Sequence, residues 1–220
     1  MSYQYIFLDL DGTITESAPG IMASVRYSLE KMGYPSDDLD KIRKFIGPPL
    51  KESYMRFYGM TEEQADQAIV CYREYYAEKG IFENSLYDGM AESLQLLKSE
   101  GKHLVMATSK PEEYAKLIAE HFDFAKYFDV ICGATMDEKL VEKADIIAYA
   151  METLGLGADK KDEILMVGDR RHDIHGAKVN GLKSMGVLFG YGDLAELQEA
   201  GADYIVESPS EVGTVILEME

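Results

Sequence analysis

The chain has 220 residues, with 22 lysines and arginines against 40 aspartates and glutamates, a formal net charge of −18 at pH 7. With 46% apolar and 28% charged residues it can bury a substantial core, which excludes a disordered or fibrous chain. So negative a balance leaves no clustered cations for a nucleic-acid backbone or an anionic membrane surface, and neither partner is expected.

The first element predicted is a strand, Tyr5-Ile6-Phe7-Leu8, an apolar run that stops at the polar turn Asp9-Leu10-Asp11-Gly12-Thr13. From about Glu16 to Leu86 the pattern is helical without a convincing strand, with helices expected over Ile21–Met32, Leu50–Tyr58 and Thr61–Lys79. Gly47-Pro48-Pro49 marks a turn there, and Thr61-Glu62-Glu63-Gln64 reads as a capped helix start. Five more short apolar runs follow: Leu104–Thr108, Asp129–Cys132, Ile164–Gly168, Met185–Phe189 and Tyr204–Val206. Continuous apolar strands are buried on both faces, which predicts parallel pairing. Helical patterns alternate with them at Ala91–Glu100, Glu112–Phe122, Ala144–Leu154 and Leu194–Ala200, three of them stopped by Gly101, Gly155 and Gly201. The expected fold class is therefore α/β, a doubly wound Rossmann-like parallel sheet over 1–15 and 87–220, with an inserted all-helical domain over 16–86.

No apolar run approaches the ~20 residues of a membrane span, and Met1-Ser2-Tyr3-Gln4 lacks the basic flank and apolar stretch of a signal peptide, so a cytoplasmic protein is expected. Cys71 and Cys132 show no CxxC spacing and are read as small buried apolar groups in a reducing compartment.

Chemistry concentrates at predicted strand ends. Asp9 and Asp11 project to one side at period two, and two carboxylates in a cleft require either a divalent cation or a raised pKa on one of them; a solvated turn is the bland alternative. Asp169 and Asp173 follow another buried strand and converge with Asp9 and Asp11 if the two strands are neighbours; otherwise they are a loop and a helix cap. Thr108-Ser109-Lys110-Pro111 offers hydroxyls and free N–H groups to an anion, against simple N-capping by Ser109. Lys143, at a helix start, supplies positive charge for an anionic substrate. His172 and His175 lack the three-ligand set of catalytic zinc.

These four segments, in this order, resemble motifs one to four of the haloacid dehalogenase superfamily of phosphatases, in particular its phosphoglycolate phosphatase and soluble 5′-nucleotidase branch, with Phe45-Ile46-Gly47-Pro48-Pro49-Leu50 and Tyr72-Arg73-Glu74-Tyr75-Tyr76 in support. The resemblance implies a helical cap and hydrolysis of a small phosphorylated metabolite, phosphoglycolate or a nucleoside 5′-monophosphate. Asp9 is then the nucleophile and Asp11 the general acid and base. Mg²⁺ is implied at Asp9, the Asp11 carbonyl and Asp169, with Asp173 in support, and the phosphoryl oxygens are held by Gly12, Thr108, Ser109 and Lys143. Glu16 and Ala144 depart from the family pattern, the second leaving Lys139 as a competitor to Lys143.

Within the implied cap, Arg43, Lys51 and Arg73 are candidates for a second anionic group of the substrate, while Tyr54, Tyr58, Tyr72 and Tyr76 read first as a core-facing stripe. A phosphosugar mutase of the β-phosphoglucomutase type shares the chemistry, but its relatives carry DGV where Asp11-Gly12-Thr13 stands here; a receiver-like phosphorylation domain has no cap. A monomer or a homodimer is expected.

Overall fold

A computed structural model describes residues 2–136 and 139–219. The chain forms two compact units, one of Met1–Thr15 with Leu86–Glu220 and the other of Glu16–Ser85.

The first unit is built on six parallel strands: β1 (Tyr5–Leu8), β4 (His103–Pro111), β5 (Val130–Ala134), β6 (Ile164–Gly168), β7 (Lys183–Val187) and β8 (Tyr204–Val206), in the order β5-β4-β1-β6-β7-β8. Two short strands, β2 (Thr15–Glu16) and β3 (Ser85–Leu86), carry the chain out of this unit and back. β1 is central, with Leu8 in register with Met106 on one side and Val167 on the other. Its continuous apolar sequence has this cause, since both faces and both edges of the strand are covered.

Six helices serve this sheet: α5 (Met90–Ser99), α6 (Glu112–His121), α7 (Lys143–Thr153), α8 (Arg171–Val179), α9 (Leu194–Ala200) and α10 (Pro209–Glu218). Phe7, Val105, Cys132 and Met166 of the strands pack with Ile146, Ile147 and Ala150 of α7 and Ala177 of α8 into one buried cluster. Each large side chain sealed there contributes about 1.5–3 kcal/mol. α5 packs on α10, where the Ser93 hydroxyl donates to the Pro209 carbonyl at 2.7 Å and accepts from the Gly213 N–H at 3.3 Å. Asp123, with φ 58°, ends α6 in the left-handed conformation that Gly101, Gly155 and Gly201 adopt elsewhere.

The second unit holds α1 (Ala18–Met32), α2 (Leu39–Arg43), α3 (Leu50–Tyr58) and α4 (Glu62–Tyr75), the last opened by a Thr61–Gln64 capping box and continued by a π-helical turn over Tyr76–Gly80. Tyr54 is sealed inside it against Phe45, with ring centroids 4.9 Å apart, and its hydroxyl bonds that of Ser28. Tyr72 and Tyr76 are buried and stacked at 5.3 Å, so these tyrosines are core, as their spacing suggests. Cys132 is buried, whereas Cys71 on α4 is only half-buried, which corrects the expectation that both are sealed. Among the described residues no helix is long and apolar enough to cross a membrane.

Candidate active site

In this strand order the chain leaves β1 for β4 and β5 on one side, then returns to place β6 on the other. The crevice at the carboxyl ends of β1 and β6 is the switch point where open α/β sheets bind ligands. Asp9 follows β1 directly, its N–H donating to the Val167 carbonyl at 3.0 Å, and Asp169 follows β6 directly.

Asp9, Asp169 and Asp173 each bring a carboxylate oxygen to within 4.8 Å of the other two. Lys143 joins them from the first residue of α7, its ammonium 2.7 Å from Asp9 Oδ1 and 2.9 Å from Asp173 Oδ1, while donating to the Ala107 carbonyl at 3.0 Å. Asp173 also serves its own helix, because its Oδ2 accepts the Arg170 N–H at 3.1 Å at the start of α8. Asp173 thus caps α8 through one oxygen and meets Lys143 with the other. Asp169 Oδ2 accepts the Tyr191 N–H at 2.8 Å, whereas its Oδ1 is buried with no hydrogen-bond partner.

Two glycines make the approach possible. Gly168 ends β6 where a Cβ would stand 2.2 Å from Asp173 Cγ, so only glycine lets that carboxylate fold back over the strand end. Gly12 has φ +83° and would place a Cβ 2.2 Å from Asp169 Oδ2.

Electrostatics follow from three carboxylates and one ammonium sharing a buried site, a formal excess of two negative charges when all are ionised. Burial, then Asp173 and Asp9, drives the Asp169 carboxyl well above its ordinary value. Burial also pushes Asp173 up to about 6, although Lys143 pulls the other way. For Lys143, burial opposes the charge, but Asp173 and Asp9 outweigh it and hold the ammonium above its usual pKa. A divalent cation fits this donor set: it matches the charge excess, and the orphaned Asp169 Oδ1 is a ready oxygen ligand.

Asp11 meets a different cation. Its Oδ2 lies 2.6 Å from the Lys110 ammonium, and its carboxylate is outside the group of three. Each member of the Asp9/Asp11 pair thus meets its own lysine. Thr108 is buried, with its Oγ1 accepting the Lys110 N–H at 3.2 Å. Ser109 sits between them on the opposite face of β4 and is exposed. It does not cap α6, whose N-cap is Pro111, so the N-capping alternative is corrected.

Lys139 is exposed, while Lys143 is 5% exposed and against Asp9. His175 is exposed, and His172 has its pKa lowered by burial and by Arg171 and Arg170. In the second unit Arg43 is exposed, Arg73 half-buried, and Lys51 ion-paired with Asp66 at 3.0 Å. Sequence reasoning left two contributors without a role. Lys110 is visible only as the period-two neighbour of Thr108, and Tyr191 as the centre of Gly190-Tyr191-Gly192 just beyond an apolar run.

Comparison with known proteins places these features. The haloacid dehalogenase-like hydrolase family matches over residues 5–187. A 5′-nucleotidase of Pseudomonas aeruginosa is 39% identical over 198 residues, 90% of this chain and 88% of that one. Tyrosine-protein kinase PtkA of Mycobacterium tuberculosis is 40% identical over 191 residues, 87% of this chain but 64% of its own length. The crystal structure of a predicted phosphatase from Clostridium acetobutylicum superposes with a TM-score of 0.93 at 50% identity, covering 99% of this chain and 100% of that one.

Proposed function

The chain belongs to the haloacid dehalogenase-like hydrolase family and is a phosphatase of it, and we propose that it hydrolyses a small phosphomonoester, phosphoglycolate or a nucleoside 5′-monophosphate, through an aspartyl phosphate on Asp9. The relative named 5′-nucleotidase supports the nucleotide. The observation that carries the mechanism is the buried trio Asp9, Asp169 and Asp173, which together with Lys143 has a formal excess of two negative charges when all are ionised, and an unpartnered Asp169 oxygen.

Asp9, Asp169 and the Asp11 carbonyl, with Asp173 behind them, would hold Mg²⁺, which supplies charge neutralisation between an anionic nucleophile and an anionic phosphate. Asp9 attacks phosphorus as the ester oxygen departs, splitting one difficult displacement into two. Lys143 keeps Asp9 oriented and offers its ammonium to the phosphoryl oxygens, joined by Thr108 and by the backbone N–H groups that follow Asp9 and Thr108. Asp11 gives a proton to the leaving alcohol and later removes one from the attacking water. Arg43, Lys51 and Arg73 are the proposed substrate-selecting cations, each tested by alanine substitution through KM.

The experiment is phosphate release from phosphoglycolate, nucleoside 5′-monophosphates and sugar phosphates, with Mg²⁺ and with chelator, beside Asp9→Asn. Release that requires Mg²⁺ and falls by about three or more orders of magnitude in the variant is expected, because the nucleophile itself is gone. Near-normal turnover by Asp9→Asn overturns the mechanism. ATP with a tyrosine peptide, run alongside, tests the transfer that PtkA's name raises.

A further inference from the structure

We infer that Lys110 is a positioning residue for Asp11, tying down Oδ2 so that Oδ1 alone exchanges the proton with leaving group and water. The inference rests on the phosphatase reading above and goes beyond it by assigning a second buried lysine to the proton transfers of both steps. The Lys110 ammonium lies 2.6 Å from Asp11 Oδ2, with 5% of the lysine side chain and 22% of the aspartate side chain exposed. Asp11 Oδ1 is buried and has no hydrogen-bond partner. The two lysines divide the labour: Lys143 contacts Asp9 and Asp173, and Lys110 contacts Asp11.

The backbone prepares this contact. The pairing of β4 with β5 shifts register between Thr108 and Pro111, and the Lys110 N–H is anchored on Thr108 Oγ1. Thr108 and Lys110 consequently fall on one side of an extended segment whose intervening Ser109 is exposed. The terminal torsion of an aspartate is broad and two-fold, so a free Asp11 carboxylate would swing. A charge-assisted bond to one oxygen removes that freedom, and misplacing a reacting group by about 1 Å costs on the order of 10²-fold in rate. In the forward step Oδ1 releases its proton to the leaving oxygen as that oxygen's bond to phosphorus breaks and the Asp9–phosphorus bond forms. In the second step Oδ1 takes a proton from water as water's oxygen bonds phosphorus and the Asp9–phosphorus bond breaks, which restores Asp11. Lys110 remains charged throughout.

Leaving-group dependence tests the assignment in the full chain with Mg²⁺. An alkyl ester such as glycerol 2-phosphate needs a proton from Asp11, whereas p-nitrophenolate departs without one. For Lys110→Met, kcat/KM on the alkyl ester should fall about 100-fold, the lower end of general-acid effects, and stay within about fivefold of wild type on p-nitrophenyl phosphate. Its kcat on the aryl ester should still drop, with a burst of p-nitrophenolate, because water attack on the phosphoenzyme also uses Asp11. Lys110→Arg should recover most of the alkyl activity. Equal losses of kcat/KM on both esters, or no loss on either, overturn the inference, while Asp9→Asn must lose both. A wild type that hydrolyses neither ester overturns the phosphatase reading and this inference with it. If Lys110→Met does not fold, as judged by circular dichroism, Lys110→Gln is read on the same ratio.

Discussion

The ammonium of Lys143 sits 2.7 Å from Oδ1 of Asp9, with 4% of the lysine side chain and 13% of the aspartate side chain exposed. A buried charge pair of this kind is expensive to assemble and more expensive to break, because removing one partner leaves the other uncompensated. The same ammonium lies 2.9 Å from Asp173 Oδ1, so one lysine pairs with two carboxylates of the acidic trio.

Lys143→Met should therefore destabilise the metal-free protein by about 3–5 kcal/mol. Denaturant unfolding in chelator measures this, and added Mg²⁺ should recover part of the loss by replacing the missing positive charge. An unchanged midpoint contradicts the arrangement.

Asp169→Asn should act in the opposite direction. It removes one of three buried like charges, so the chelated protein should gain on the order of 1 kcal/mol. Wild type should gain about 2.7 kcal/mol when Mg²⁺ is raised to 100 times its Kd, and the variant should show almost none of this gain. Thermal unfolding with and without Mg²⁺ reads both effects, independently of turnover.

Gly168→Ala places a methyl where Asp173 Cγ stands 2.2 Å away. The carboxylate has to move, which costs about 1–3 kcal/mol in stability and loosens the start of α8. Turnover should fall together with the urea midpoint.

Glu196 ties α9 to the start of α8, accepting from Arg170 Nε and the Arg171 N–H at 2.9 Å each. Burial raises its pKa, but these donors outweigh burial and hold it below the ordinary glutamate value. A depressed folded pKa stabilises above the unfolded value of ~4.3 and loses that contribution as pH falls through the folded value. Glu196→Gln should thus cost about 0.5–1 kcal/mol at pH 7 and progressively less below pH ~4, in urea titrations at both pH values.

Much of the architecture was legible because the signals are local. β1, β6 and β8 begin and end where their apolar runs do, since a strand covered on both faces has to be apolar throughout. β4 runs on through Ser109 and Lys110 to Pro111, beyond its apolar run, where no hydrophobic pattern marks it. Three helices escaped notice, the first of them α2, which is only five residues long. α8 carries a weak apolar pattern, and its capping residue, Asp173, is also a residue of the cluster; α10 follows a Ser208–Glu211 capping box easily taken for a loop.

The sequence by itself determined the alternation of strand and helix, the parallel sheet, and the placing of Asp9 and Asp169 at strand ends. These depend on side-chain periodicity and on turn residues close along the chain. The partners of the charges depended on the tertiary structure, because Asp11 and Lys110 are separated by 99 residues and Lys143 reaches Asp9 from another strand–helix unit. Which of the two lysines faces which carboxylate is set by strand order, by the register shift in β4 and by the space that Gly168 leaves open. Those are properties of the packed sheet, with no local pattern to reveal them.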